Sequence, residues 1–229
     1  MRFIRSRNLF AYTFTPRTIT GCWLSSSPGT TSFKVHSYHK KTIDHLELEH
    51  LYIFNPTRIA PLLTSWYHAT KQTMPIACAL VGPSVQEQII PLTTAHPTPD
   101  QLPIIIAPHL QWEYTYLYSY DMAHYFYLCG ITKPLLFQYQ LLGITTQLPF
   151  TTITTQGLAL LTAYRFIFGT AFRPAQLAMA LTKCDTSIEQ LFSRDDLERL
   201  CILSPHIDAT ERDAIPLLTS CGLFANELL

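Results

Sequence analysis

Three short runs crowd the first forty residues: Leu9-Phe-Ala-Tyr-Thr-Phe-Thr, Ile19-Thr-Gly-Cys-Trp-Leu and Phe33-Lys-Val-His-Ser-Tyr. Each is rich in aromatic and β-branched residues, and Thr15-Pro-Arg-Thr and Ser25-Ser-Ser-Pro-Gly-Thr separate them. Runs of this length bounded by Pro, Gly and Ser predict strands joined by turns, here a three-stranded meander. A helical pattern follows over Asn55–Lys71. A fourth apolar run, Pro75–Val81, then has the composition of a strand buried on both faces. A meander, a helix and a buried strand in that order require an α/β fold.

At 229 residues the chain can bury a substantial core. Charged residues make up only 14% of it and the net charge is zero, so it lacks the basic footprint of a nucleic-acid binder. Its 48% hydrophobic content excludes an intrinsically disordered chain. The basic start, Met1-Arg-Phe-Ile-Arg-Ser-Arg-Asn, is not followed by an apolar signal core. The best spanning candidate, Gly157–Phe168, carries Arg165 and is far too short to cross a bilayer. We therefore expect a soluble cytoplasmic protein, held at a membrane through a partner. Six scattered cysteines without a Cys-x-x-Cys pair (Cys22, Cys78, Cys129, Cys184, Cys201 and Cys221) predict reduced, buried thiols.

Along the chain, Asn55-Pro56 is an N-cap followed by Pro at the first helical position, and Ile59, Leu62, Leu63, Trp66 and Tyr67 fall at helical spacing. Glu87–Leu92 is a short strand that Pro91 confines to an edge. Thr98-Pro-Asp-Gln opens a short helix interrupted at Pro103 and Pro108. From Gln111 the period becomes two: Trp112, Tyr114, Tyr116 and Tyr118 are expected on one face of a strand and Glu113, Thr115 and Ser119 on the other. A turn at Ser119-Tyr-Asp-Met leads into His124–Ile131. The segment Met122–Phe168 then reads strand, helix, strand, helix, a parallel α/β unit in which Leu135, Leu136, Tyr139 and Leu142 share a helical face. The tail predicts short helices at Pro174–Leu181, Ile188–Phe192, Arg194–Leu203 and Ala209–Cys221, with Gly222 as a C-terminal cap and few strands.

This order resembles the first half of the actin-like family of type IV pilus assembly proteins, PilM and its shorter HofM relatives. The residues that carry the resemblance are Val81-Gly-Pro, Glu87-Gln-Ile-Ile-Pro-Leu, Trp112-Glu-Tyr before the hairpin, and Leu136–Leu161 with its Gln147-Leu-Pro-Phe-Thr-Thr-Ile turn. It covers about Leu9–Phe168. The fold it implies is α/β: an actin-like (ribonuclease H-like) lobe with a three-strand meander, an inserted small α+β lobe and a reduced, mostly helical C-terminal part. In residue terms, 1–86 would begin the actin-like lobe, 87–131 form the inserted lobe, 132–170 complete the first lobe, and 171–229 make the reduced helical region.

The resemblance also implies a phosphate-gripping first turn shaped by an Asp and two Gly. Here Phe10 and Phe14 stand where the glycines would be, and Tyr12 where the Asp would be. Glycines let backbone N–H groups approach a phosphate and the acidic group organises the metal, so aromatic residues obstruct both roles. No Asp precedes Asp44, and no Asp-x-Gly strand pair follows Phe168. Neither a P-loop nor a Rossmann fingerprint is present, and there are eight glycines in all. We expect no catalytic residues, no cofactor and no metal. His45-Leu-Glu-Leu-Glu-His50 lacks the His-Glu-x-x-His spacing and reads as a solvated edge. The scattered histidines form no triad, and Asp195-Asp196 reads as helix N-terminal charge.

The aromatic ladder Trp112–Tyr127 has two readings: a hairpin face packed on its own lobe, or a groove for an extended peptide. On the second reading Trp112, Tyr114, Tyr116, Ile89 and Ile90 line the groove. The resemblance supplies its occupant, the cytoplasmic segment of a PilN-like inner-membrane protein. The expected function is a non-catalytic scaffold of a pilus or DNA-uptake machine. An ATPase with an atypical phosphate loop and a generic α/β interaction domain are the alternatives, and self-association stays open.

Overall fold

The structure is a computed structural model that describes residues 7–27, 30, 32–44, 48–98, 109–148, 150–168, 194–208, 210 and 213–226. The expected meander is β1 (Arg7–Phe14), β2 (Thr18–Ser26) and β3 (Phe33–Thr42). A two-stranded ribbon follows, β4 (Leu48–Glu49) and β5 (Tyr52–Ile53), then α1 (Pro56–His68) and β6 (Ile76–Leu80). A second sheet contains β7 (Val85–Leu92), β8 (Leu110–Tyr120) and β9 (Ala123–Thr132). The chain continues through α2 (Lys133–Thr145), β10 (Phe150–Thr155), α3 (Gln156–Phe168), α4 (Arg194–Leu200), β11 (Cys201–Leu203) and α5 (Ala214–Asn226). The helices expected after Thr98, at Pro174–Leu181 and at Ile188–Phe192 lie outside the described residues, as do Cys184 and His45–Glu47.

The main sheet has the order β10-β6-β1-β2-β3-β11. β1 is antiparallel to β2 and parallel to β6, and β6 is parallel to β10. Because β1 is central, its alternate side chains enter two separate cores. Phe10, Tyr12 and Phe14 pack with Ile76, Cys78 and Leu80 under α1 (Ile59, Leu63, Tyr67) and α2 (Leu135, Tyr139, Leu142). Leu9 and Ala11 pack with Ala77, Ala79 and Cys22 under α3 and α5. Large rings fill the first layer, and small residues let helices approach closely in the second. Tyr12 is fully buried, so its hydroxyl needs a partner and donates to the Leu63 carbonyl at 2.6 Å. Burial pushes its pKa well up, so the phenol stays neutral.

Four features depart from the sequence reading. First, β9 and β10 do not form one parallel unit. β9 is flanked on both sides by β7 and β8, which leaves it no free edge, and β10 pairs with β6 instead. Second, a bulge between Tyr116 and Tyr118 interrupts the register, which pairs Tyr116 with Phe126 but Tyr118 with Tyr125. Third, the helix expected over Arg194–Leu203 ends at Leu200, and its last three residues form β11, parallel to β3 at the edge of the main sheet. Fourth, Gly222 is not a cap. It lies inside α5 at the crossing with α3, where an added Cβ would collide with the Ala159 carbonyl. Leu217, Leu218, Cys221, Leu223 and Phe224 of α5 belong to the main core.

Asp213 fastens the start of α5 to the sheet. Its carboxylate accepts from Lys40 Nζ (2.7 Å), the Tyr38 hydroxyl (3.1 Å), and the N–H and hydroxyl of Thr210 (3.0 and 2.9 Å). Burial opposes ionisation, but these donors outweigh it and hold the carboxyl below its ordinary value. A lowered folded pKa contributes stability above the unfolded value of about 4, and this is lost as pH falls through the folded value. Lys40 is partly exposed, so water screens its share. Asp213→Asn should therefore cost about 1–2 kcal/mol in urea unfolding at pH 7, with the gap to wild type closing as pH falls below the unfolded value of about 4. Gly222→Val should cost about 2–3 kcal/mol, roughly 5–10 °C in Tm, by forcing α5 off α3.

Candidate functional site

In an open α/β sheet, ligands gather outside the carboxyl ends of the parallel strands. Here that end is defined by Phe14 of β1, Leu80 of β6 and Thr155 of β10. Two elements there carry backbone N–H groups of the kind that bind phosphate: the β1–β2 turn and the first turn of α3.

The β1–β2 turn spans Thr15–Thr18 and is closed on itself. Thr15 N–H donates to the Thr18 carbonyl (2.9 Å), and Thr15 Oγ1 accepts from the N–H groups of Thr18 (2.9 Å) and Arg17 (3.2 Å). The two threonine hydroxyls are 2.8 Å apart. The turn donors are thus satisfied by a neighbouring hydroxyl. Phe10, Tyr12 and Phe14 are not the obstruction the sequence suggested. They precede the turn and point into the core below α1 and α2.

At α3, the Gly157 N–H donates to Glu87 Oε1 of β7 at 2.9 Å. A carboxylate is favourable at a helix N-terminus, for the same reason that a phosphate would be. An added Cβ at Gly157 would collide with the Tyr127 hydroxyl and the Glu87 carboxylate, so glycine is required by close approach. Gln156, nearly buried, donates to Thr219 Oγ1 of α5 at 3.3 Å. Thr154 donates to Glu113 Oε2 at 3.2 Å, and Arg165 donates to the Tyr116 carbonyl at 2.5 Å. These contacts dock the inner face of the small sheet onto β10 and α3. Among the described residues, these two points do not fit a nucleotide's phosphates, because a carboxylate holds one and the other turn is internally bonded.

Burial also removes reactivity from this junction. Desolvation, reinforced by Glu113, pushes the Cys129 thiol up to about 12. Burial, with Glu87 nearby, raises the Tyr127 phenol, and desolvation raises Glu113 against the hydrogen bond from Thr154. The thiol and the phenol are protonated at neutral pH and supply no nucleophile.

The expected groove residues do not all meet. Trp112, Tyr114 and Tyr116 share the face of the small sheet turned from the main core with Ile90 and the buried Leu128 and Phe126; the register pairs Phe126 with both Tyr116 and Ile90. Trp112 lies over Gly130, whose missing side chain makes room for the indole. Tyr114 and Tyr116 present ring edges to Phe126 at centroid distances of 6.1 and 5.5 Å, yet remain 46% and 43% exposed. Beyond the bulge, Ser119 joins this row and bridges the Tyr116 hydroxyl (2.7 Å) and His124 Nδ1 (2.6 Å). Ile89 lies on the opposite face, packed toward the main core, because neighbouring strand residues point to opposite sides. β7 and β8 are both edges of this sheet, and a tight turn with φ of 48° and 59° at Asp121 and Met122 closes the β8–β9 hairpin.

Sequence reasoning missed Thr15, Glu87 and Gly157. Glu87 sits 70 positions from its partner in a strand that looks solvated, and no local pattern signals a capping contact so far along the chain. Among the described residues, no group of three His, Cys, Asp or Glu could hold a metal, and no helix is long and apolar enough to cross a membrane. Glu87→Ala strands the Gly157 N–H and should lower unfolding stability by about 1–2 kcal/mol. An unchanged urea midpoint would mean that this contact does not hold the small sheet to α3.

No protein-family model matches the sequence, and no curated protein matches it. Among solved structures, the chain overlays a "PilM-PilN type IV pilus biogenesis complex" with a TM-score of 0.53 at 9% identity, covering 68% of this chain and 49% of that one. It also resembles the cytoplasmic domain of EpsL, an inner-membrane component of the type II secretion system of Vibrio cholerae (TM-score 0.41, 8% identity, 66% and 58% coverage). A third is a Bacteroides thetaiotaomicron protein with an actin-like ATPase fold and unknown function (0.38, 11%, 68% and 54%). The first overlay is a likeness of fold and the other two are looser. The chain spans about half the length of the proteins it overlays. Its fold is actin-like.

Proposed function

We propose that this chain is a non-catalytic, actin-like scaffold that binds a cytoplasmic peptide segment of a PilN-like inner-membrane protein within a pilus, secretion or DNA-uptake assembly. The observation that carries the non-catalytic half is the Glu87 carboxylate on the α3 N-terminus, together with the self-bonded Thr15–Thr18 turn. Without free donors, neither of these two points is preorganised to stabilise a triphosphate's charge. The overlay with a PilM-PilN complex supports the choice of partner. On this reading the protein is cytoplasmic and reaches the inner membrane through that partner.

The peptide site we assign is the β8 edge with its outer face. Among the described residues β8 pairs with β9 alone, so apart from the Tyr116 carbonyl, which accepts from Arg165, its other edge can take an added strand through main-chain hydrogen bonds. Tyr114 and Tyr116 then offer half-exposed rings to alternate residues of the peptide, with Trp112 farther along the row. Rings supply contact area at low entropic cost, which suits a neutral surface with little electrostatic steering.

Isothermal titration with a synthetic copy of the cytoplasmic segment of a PilN-like protein encoded beside this one tests the proposal. We expect micromolar binding, weakened at least tenfold by the Tyr114→Ala, Tyr116→Ala double variant, since aromatic anchors contribute about 1–2 kcal/mol or more each. Equal affinity for wild type and double variant would remove the assigned site. The absence of any binding would remove the partner.

A further inference from the structure

The five described cysteines are free and buried, and two of them touch. The Cys201 and Cys221 sulfurs lie 3.0 Å apart, about 1 Å beyond the length of a disulfide bond. Cys201 opens β11 at the edge of the main sheet, and Cys221 sits within α5, so the contact joins two elements 20 residues apart in sequence. A third thiol, Cys22 of β2, shares this core but faces the Ser220 hydroxyl.

We propose that Cys201 and Cys221 are a redox-active pair, which hydrogen peroxide converts to a disulfide that staples β11 to α5. Position decides which sulfur reacts first. Cys221 is fully buried, and that burial, reinforced by the neighbouring Cys201 sulfur, pushes its thiol up and keeps it protonated. Cys201 is 6% exposed, in a three-residue strand that among the described residues pairs with β3 alone. A short edge strand of this kind opens locally at small cost, enough to admit a molecule little larger than water. The Cys201 thiolate attacks one peroxide oxygen: an S–O bond forms, the O–O bond breaks, and the departing hydroxide takes up the thiol's proton as water. Cys221 then attacks the sulfur of the Cys201 sulfenic acid. The S–S bond forms, the S–O bond breaks, and a second hydroxide leaves as water with the Cys221 proton. Two thiols thereby lose two electrons and two protons, and one peroxide becomes two waters. A dithiol reductant returns both thiols by exchange and is itself oxidised to a disulfide.

The fold permits this closure. Gly222 holds α5 against α3, so the travel of about 1 Å falls on the short strand β11. The segment between the cysteines is already tethered. Ser204 reaches the Val35 carbonyl through its N–H and hydroxyl (3.1 and 2.8 Å), and Asp213 reaches Tyr38 and Lys40. The new bond therefore adds little strain to the folded chain and mainly removes freedom from the unfolded one. In the reducing cytoplasm that the scaffold reading assigns, such a pair rests as thiols and closes only under oxidant.

Peptide mapping tests the pairing on the whole protein. After treatment with a modest excess of hydrogen peroxide, alkylation of remaining thiols in denaturant and digestion by trypsin, cleavage at Arg199 and Arg212 separates the two cysteines. We expect the peptides Leu200–Arg212 and Asp213–Leu229 to remain joined, two hydrogens lighter than their sum, and to part on adding dithiothreitol. Oxidation should raise Tm by about 5–10 °C, reversibly. Cys22→Ala should keep the cross-link and the shift, and Cys201→Ala should lose both. Alkylation of both thiols after peroxide, a disulfide from either cysteine to Cys22, or a cross-link that leaves Tm unchanged would overturn the inference, and the wild-type peptide map decides even if a variant fails to fold. The pair shares no residue with the peptide site, so this proposal and the scaffold reading fail separately.

Discussion

Everything in this molecule is arranged around the two-sided burial of β1. A strand flanked by β2 and β6 and covered on both faces cannot carry a charged side chain, and from Leu9 to Phe14 it carries none. The division of sizes between its faces decides the rest. Phe10, Tyr12 and Phe14 set a thick layer under α1 and α2, while Ala11, with Ala77 and Ala79 beside it, sets a thin one in which α3 and α5 cross at Gly222. A polar tip inside the thick layer is tolerated because Tyr12 reaches a helix carbonyl.

The thin layer also brings the first turn of α3 to the small sheet. Once Gly157 lies against Tyr127 and Glu87, the helix N-terminus is capped by the protein's own carboxylate. Glu113–Thr154 and Arg165–Tyr116 extend the same junction along β10 and α3. A helix N-terminus, where an anion is favourable, here joins the small sheet to the main one. On the functional reading proposed here, the small sheet is held by its inner face and offers Tyr114 and Tyr116 on its other face to a partner.

Much of the architecture was legible in the sequence, because it is written in local patterns. The three aromatic and β-branched runs became β1–β3, the Asn55-Pro56 signal opened α1, and the doubly apolar Ile76–Leu80 became a buried parallel strand. The period-two row of Trp112, Tyr114 and Tyr116 is one face of β8 up to the bulge. What failed depended on distance. A bulge is an accident of pairing between two strands, so no period-two rule foresees the register shift after Tyr116. Gly222 resembles a cap in sequence, and only the α3 backbone beside it shows that the crossing needs its small size. Ile89 and Ile90 are adjacent in the chain, yet the sheet sends them to opposite sides. The Glu87–Gly157 contact links two segments with no shared pattern at all.

The central claim, that the chain's own groups occupy the positions a nucleotide would need, can be read at individual amides. A ¹⁵N-resolved titration of the backbone with magnesium-ATP, combined with hydrogen exchange, reports on Arg17, Thr18 and Gly157 directly. The account predicts that Thr18 and Gly157 exchange slowly and that none of the three signals moves up to millimolar nucleotide. Saturable shifts at these three amides, with fast exchange in the absence of nucleotide, would contradict it.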